Sequence, residues 1–129
     1  LFMVADVRDY SPKQKGDGKL KKEKLGETWS LKLSKNIDIL ATLNKSEIYS
    51  IGFKAEMDKK EAKLNAQNML KNKNLDAVCL NILDESNAFG SDTNKIELIL
   101  KDKSFDFYGN KLNISLEILN RFEKEFTNE

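Results

Sequence analysis

Four lysines fall within six positions in GDGKLKKEKLGETW (16–29), namely Lys19, Lys21, Lys22 and Lys24. Gly16 and Gly18 precede them and Gly26 follows. Ammonium groups hold phosphate as point charges, and glycines let a segment swing. The stretch therefore suits a mobile loop that binds a phosphate-bearing ligand. In so lysine-rich a chain, a solvated charged face accounts for the same residues. The glycines do not complete G-x-G-x-x-G, so a dinucleotide fingerprint is not supported.

Further polar and aromatic residues follow apolar runs. Asp6 follows the first run, Phe53, Lys54 and Glu56 follow the run that begins at Glu47, and Asn81 follows DAVCL. In open α/β sheets, ligands bind beyond the carboxyl ends of the strands, so these residues and the lysine loop could share one mouth. Each also has an ordinary structural reading. Asp6 could cap a turn, and Phe53 could be a core aromatic. Cys79, in mid-strand, reads as a buried thiol. With no histidine and one cysteine, a histidine-based triad within this chain and a structural zinc site are excluded. A lone cysteine permits no internal disulfide and fits a reducing, cytoplasmic setting.

The elements that must position these groups are read from the apolar pattern. LFMVADV (1–7) reads as a strand buried on both faces, and residues 9–27 as a long loop. TWSLKLS (28–34) alternates like a strand, with Trp29, Leu31 and Leu33 on one face. NIDILATLNK (36–45) reads as a short helix capped by Ser34 or Asn36. EIYSIGF (47–53) is a second core strand. MDKKEAKLNAQNMLKNKN reads as a helix, with Asp58 and Glu61 as a capping box, an apolar stripe of Ala62, Ala66, Met69 and Leu70, and Asn74 as a left-handed stop. DAVCLNIL (76–83) is a third core strand, and 85–94 a loop. KIELIL and SFDFYG flank KDK as a hairpin. NISLEILNRFEKEF (113–126) is an amphipathic helix with Leu116, Leu119, Phe122 and Phe126 on one side. Strands alternating with helices imply one α/β domain over residues 1–129, its sheet mixed and covered on both faces.

The 129 residues are 40% hydrophobic and 33% charged, with a net charge of +1. That balance argues against a nucleic-acid footprint, and no apolar run reaches the roughly 20 residues of a membrane span. The apolar start at Leu1 is read as a cut inside a longer protein.

VADVR (4–8), KLKK (19–22), KNIDIL (35–40), IGFKAE (51–56), KNLDAVCLN (73–81) and FGSDTN (89–94) occur in that order. Together they resemble the C-terminal part of phosphopantothenate–cysteine ligase. In bacteria this is usually the ligase half of a bifunctional coenzyme A biosynthesis protein. The other half is an FMN-dependent phosphopantothenoylcysteine decarboxylase, a flavoprotein. The resemblance implies a Rossmann-like three-layer sheet, mostly parallel with an antiparallel edge hairpin. It also implies a homodimer, with the hairpin and its neighbours as candidate contacts. The implied activity is CTP-dependent ligation of 4'-phosphopantothenate to cysteine, with magnesium, through an acyl-cytidylate. A non-catalytic nucleotide- or anion-binding module is the alternative.

Carried over residue by residue, the resemblance makes Asp6 a cytidine-binding position. Lys19 becomes the catalytic loop lysine that contacts the nucleotide, and residues 20–27 its flap. Ile37, Asp38, Ile39 and Leu40 match a nucleotide-contacting helix start, Phe53 a pocket aromatic, and Lys73 a triphosphate-binding lysine. Ile37 stands where the family usually has proline, and Met69 where it has a second helix lysine. The family's glycine-rich loop and an asparagine tied to the acyl-cytidylate would lie before Leu1. The isolated 129-residue chain is therefore expected to be inactive as a ligase.

Overall fold

The computed structural model describes residues 1–4, 7–84 and 90–127. Its elements run β1 (Phe2–Met3), β2 (Tyr10–Pro12), α1 (Lys22–Leu25), β3 (Leu33–Lys35), α2 (Ile39–Thr42), β4 (Ile51–Glu56), α3 (Lys59–Asn72), β5 (Ala77–Ile82), β6 (Thr93–Ile99), β7 (Ser104–Asn110) and α4 (Lys111–Phe126). Five strands form one sheet in the order β1-β4-β5-β6-β7. β1, β4 and β5 pair in parallel, whereas β6 pairs antiparallel with both β5 and β7. The result is the expected mixed α/β sheet with an antiparallel edge hairpin. That hairpin is closed by the Leu100 N–H donating to the Lys103 carbonyl at 2.8 Å.

Strand alternation sends successive side chains to opposite faces, and each face has its own core. Ile51, Ala77, Cys79, Ile96 and Leu98 pack with Ile114 and Ile118 of α4. Val78, Leu80 and Ile99 pack with Ala62 and Ala66 of α3, and with Leu40 of α2. Gly52 lets α3 approach β4 closely. A Cβ there would lie 2.7 Å from Met69 Cε and 2.8 Å from Leu75 Cδ1, so no side chain fits without displacing both. The start of β4 is tied to β5 by Asp76, whose Oδ2 accepts from the Ser50 N–H at 2.7 Å and from its hydroxyl at 3.3 Å.

Several expectations are corrected. The first strand is short and half-exposed at Phe2; among the described residues, β1 has a strand on only one side. The 9–27 loop contains β2 and α1, and β2 pairs antiparallel with β3 in a separate ribbon. The strand expected over 28–34 is confined to Leu33–Lys35, and Trp29, Leu31 and Leu33 are half-exposed rather than buried. The second core strand is displaced to Ile51–Glu56.

The cap of α2 is Asp38, whose carboxylate accepts from the Ala41 N–H. Asn36 is instead occupied by the ribbon: its Nδ2 donates to the Arg8 carbonyl and its Oδ1 accepts from Ser11. α3 fits its expected bounds. Asp58 caps it through the Lys60 N–H, and Asn74 stops it with a φ of 51°. α4 begins two residues early, at Lys111, with Asn110 as its cap. Its core face is Ile114 and Ile118, with Phe122 and Phe126 partly buried, whereas Leu116 and Leu119 are half-exposed. Of the loop expected over 85–94, residues 85–89 lie outside the described residues, and β6 already begins at Thr93. Among the described residues, no helix is long and apolar enough to cross a membrane.

Candidate functional site

The carboxyl ends of β1 and β4 point the same way because the two strands are parallel. A cleft of about 140 Å³ opens past the end of β1, beside the first half of β4 and the end of α3, lined by Met3, Val7, Arg8, Asp9, Ile37, Asp38, Ile39, Leu40, Phe53, Met69 and Lys73. Six of the eight residues to which the resemblance gives a role therefore meet around one space: Ile37, Asp38, Ile39, Leu40, Phe53 and Lys73. They come from three separate places, the start of α2, the middle of β4 and the end of α3, and only the sheet topology joins them. Asp6 lies outside the described residues. Lys19 is exposed on the segment between β2 and β3 and does not line this cleft.

An ion pair crosses the cleft. Lys73 Nζ stands 3.0 Å from Asp38 Oδ2. The other carboxylate oxygen, Oδ1, accepts from the Ala41 N–H at 3.0 Å. That backbone hydrogen bond, with Lys73 beside it, holds the Asp38 carboxyl below its ordinary 3.8 despite some burial. At β6, burial pushes Glu97 up, but Lys63 at 2.7 Å and Ser104 outweigh it and hold the carboxyl below its ordinary 4.5. Both groups favour the folded chain above their ordinary values, and that benefit disappears as pH falls through their lower folded values. Asp38 is more than a third exposed, so screening keeps its share below about 1 kcal/mol. The expected outcome is that an Asp38→Asn, Glu97→Gln double variant loses less stability than the native chain between about pH 5 and pH 3. Urea melts at stepped pH check this, and parallel acid limbs would count against it.

A wider cleft of about 690 Å³ adjoins the first, and Met3 and Phe53 line both. It carries Lys54, Asn81, Lys111 and Ser115 as polar groups. Asn81 Oδ1 is buried without a hydrogen-bond partner. An orphaned buried acceptor is costly, so it marks a position where a donor is wanted. The lining also includes Cys79, but burial pushes its thiol up to about 12. It is neutral at physiological pH and serves the core.

A third cleft of about 270 Å³, between α3 and the hairpin, has an apolar floor of Leu80 and Ile82. The charges beside it are largely answered locally, Lys59 by Asp84 and Lys63 by Glu97.

Sequence reasoning missed Arg8 and Asp9, which line the first cleft. It chose Asp6 because that residue directly follows the apolar run. The available signal was a second aspartate three residues on, just before the ribbon. Met69, standing where a lysine was expected, does line the cleft, with its methyl group against the Gly52 position. Among the described lining residues, the cations are Lys73 on the α3 side and Arg8 before the ribbon. Among the described residues, no group of three or more acidic or cysteine side chains is placed to hold a metal ion.

Comparison with known proteins matches residues 1–125 to the family described as the DNA/pantothenate metabolism flavoprotein C-terminal domain. The coenzyme A biosynthesis bifunctional protein CoaBC of Bacillus subtilis is 38% identical over 124 residues, covering 92% of this chain and 30% of that protein. The protein of the same description from Vibrio cholerae is 31% identical over 106 residues, 79% of this chain and 26% of the relative. The chain thus spans less than a third of either. A crystal structure of the C-terminal domain of a CoaBC protein superposes with a TM-score of 0.68 at 24% identity, over 98% of this chain and 54% of that one. That likeness establishes the fold.

Proposed function

The chain belongs to the DNA/pantothenate metabolism flavoprotein C-terminal domain family, and from that membership we propose that it carries the nucleotide-binding part of a phosphopantothenate–cysteine ligase. The reaction belongs to coenzyme A biosynthesis. The carboxylate of 4'-phosphopantothenate attacks the α-phosphorus of CTP, forming an acyl-cytidylate and releasing pyrophosphate. The cysteine amine then attacks the acyl carbon, loses a proton, and releases CMP.

The observation that carries this reading is the meeting of Asp38, Phe53 and Lys73 around one cleft past the end of β1. Lys73 supplies a cation for phosphate. Phe53 lines both clefts, and an aromatic ring there suits stacking of a base. The buried Asn81 oxygen would accept from an exocyclic amino group. Cytosine and adenine both carry one, so selection of CTP over ATP must rest on fit.

Magnesium would enter with the triphosphate, since this ion is held mainly by phosphates and one or two carboxylates; Asp9 and Asp38 line the cleft. Lys19 and the segment around it would close over the reacting groups, and closure excludes water from the acyl-cytidylate. A homodimer is part of the same reading. Half-exposed Trp29, Leu31 and Leu33 by the ribbon, and Leu112, Leu116 and Leu119 on α4, are surfaces a second copy would cover. The isolated chain would not complete the ligation, because the other cleft walls would come from the remaining length of the relatives.

Calorimetric titration of this chain with CTP and with ATP, each with magnesium, tests the reading. CTP is expected to bind more tightly than ATP, and Lys73→Met to weaken it by about tenfold or more, the loss of one charge-assisted contact. Equal or absent binding of both nucleotides would overturn the claim that the base pocket lies within these residues. CTP binding without cysteine-dependent pyrophosphate release by a chain of the relatives' full length would favour a non-catalytic binding module.

A further inference from the structure

We propose that Asp38 sets the cleft's preference for a nucleotide over bare polyphosphate by competing with the ligand for the Lys73 ammonium. This deepens the nucleotide reading of the cleft and rests on it. Asp38 has two duties on two oxygens: Oδ1 caps α2 through the Ala41 N–H, and Oδ2 holds Lys73 Nζ, each at 3.0 Å. Lys73 follows the end of α3, and its own N–H is returned to the Met69 carbonyl. Its backbone is therefore anchored while its ammonium reaches across to α2. Both side chains remain about a third exposed, so an arriving phosphate can reach the pair without unfolding anything.

A phosphate at Lys73 meets an ammonium that already has an anionic partner. It must share that cation or displace the carboxylate, and it sits beside a negative charge in either case. Each outcome costs binding free energy that a bare polyphosphate has no means to recover. A nucleotide does have such means. Its ribose hydroxyls can donate to the Asp38 carboxylate, and its base can lie on Phe53, which lines the same cleft. The same competition acts after the first chemical step, because the carboxylate reclaims Lys73 as pyrophosphate leaves. Asp38 is in this sense a specificity-determining residue that also speeds product release.

Substituting Asp38→Asn isolates the effect, since asparagine is as good an N-cap as aspartate but carries no charge. Inorganic pyrophosphate, titrated into the chain by calorimetry, is the probe. An exposed ion pair of this kind changes an equilibrium constant by about fivefold at most. Pyrophosphate is therefore expected to bind about fivefold more tightly to the Asp38→Asn chain, and the ratio of CTP to pyrophosphate affinity is expected to fall. In a Lys73→Met background, the same substitution is expected to bring no gain. If Asp38→Asn melts early, Asp38→Ser, a second uncharged cap, replaces it.

Unchanged or weaker pyrophosphate binding in the uncharged variant overturns the proposal, as does a gain that persists without Lys73. Absence of pyrophosphate binding by every variant overturns it too. Tightening that needs Lys73, in a chain that does not prefer CTP to ATP, supports the competition and counts instead against the base reading.

Discussion

Lys19→Ala, introduced into a polypeptide that contains this sequence at the full length of its relatives, is expected on the proposed ligase reading to lower kcat by about a hundredfold and to leave the melting temperature unchanged. The two halves of that expectation have separate grounds. Lys19 is exposed and has no hydrogen bond or ion pair with the described residues, so its removal takes nothing from the fold. Surface substitutions of that kind stay within about 0.5 kcal/mol.

The functional half rests on placement. Lys19 leaves the ribbon in a segment framed by Gly18 at φ 91° and Gly26 at φ 70°. These left-handed conformations suit glycine and would strain most other residues. On the proposed reading, a cation on such a segment would act when the segment closes, against charge that develops as pyrophosphate departs. Removing one preorganised donor to developing charge costs roughly a hundredfold to a thousandfold in kcat. Steady-state turnover, measured as cysteine-dependent pyrophosphate release, checks the first half, and a thermal melt checks the second. Unchanged turnover would remove Lys19 from the mechanism, whereas a lowered melting temperature would give it a structural duty instead.

The elements that could be read from sequence are those whose signal is local. α3 has a capping aspartate, small residues at the buried positions Ala62 and Ala66, and a left-handed Asn74 to end it. The hairpin has two apolar-rich segments about a charged turn. β5 is apolar in the way that burial on both faces demands. What failed depends on partners that sequence does not display. LFMVADV looks as apolar as a core strand, yet among its described residues only Phe2–Met3 is strand, and Phe2 is half-exposed. Ser34, Asn36 and Asp38 are all competent caps. The choice fell to Asp38 because the β2–β3 ribbon takes Asn36 for its own hydrogen bonds.

The cleft was partly legible for a related reason. The topological rule for α/β sheets brings carboxyl ends together without saying which nearby side chains will face each other. It led to Phe53, while the resemblance supplied Asp38 and Lys73. Arg8 and Asp9 were missed because their place follows from the path of the ribbon, which the sequence reading treated as loop. The ion pair between Asp38 and Lys73 spans 35 residues of chain, and nothing in either local sequence specifies it.

Ile114→Ala is expected to destabilise the chain by about 2–4 kcal/mol, while Leu116→Ala, two residues on, is expected to cost under about 0.5 kcal/mol. The contrast matters because α4 carries apolar residues in two overlapping stripes, and periodicity gives a period without a phase. Leu112, Leu116 and Leu119 satisfy helical spacing as well as Ile114, Ile118 and Phe122 do. The fold decides between them. Ile114 is 3% exposed and Leu116 52%, and Ile114 and Ile118 pack with Ile96, Leu98 and Leu100 of the hairpin. Truncating Ile114 leaves a void that the β6 side chains cannot close, so the loss combines transfer and cavity costs. Truncating Leu116 removes surface that water already wets. Denaturant melts of the two variants measure the difference, with equal midpoints counting against this orientation of α4. A cost at Leu116 that grows with protein concentration would carry a different meaning. It would show that the outer stripe is covered by a second copy, with its stability linked to association.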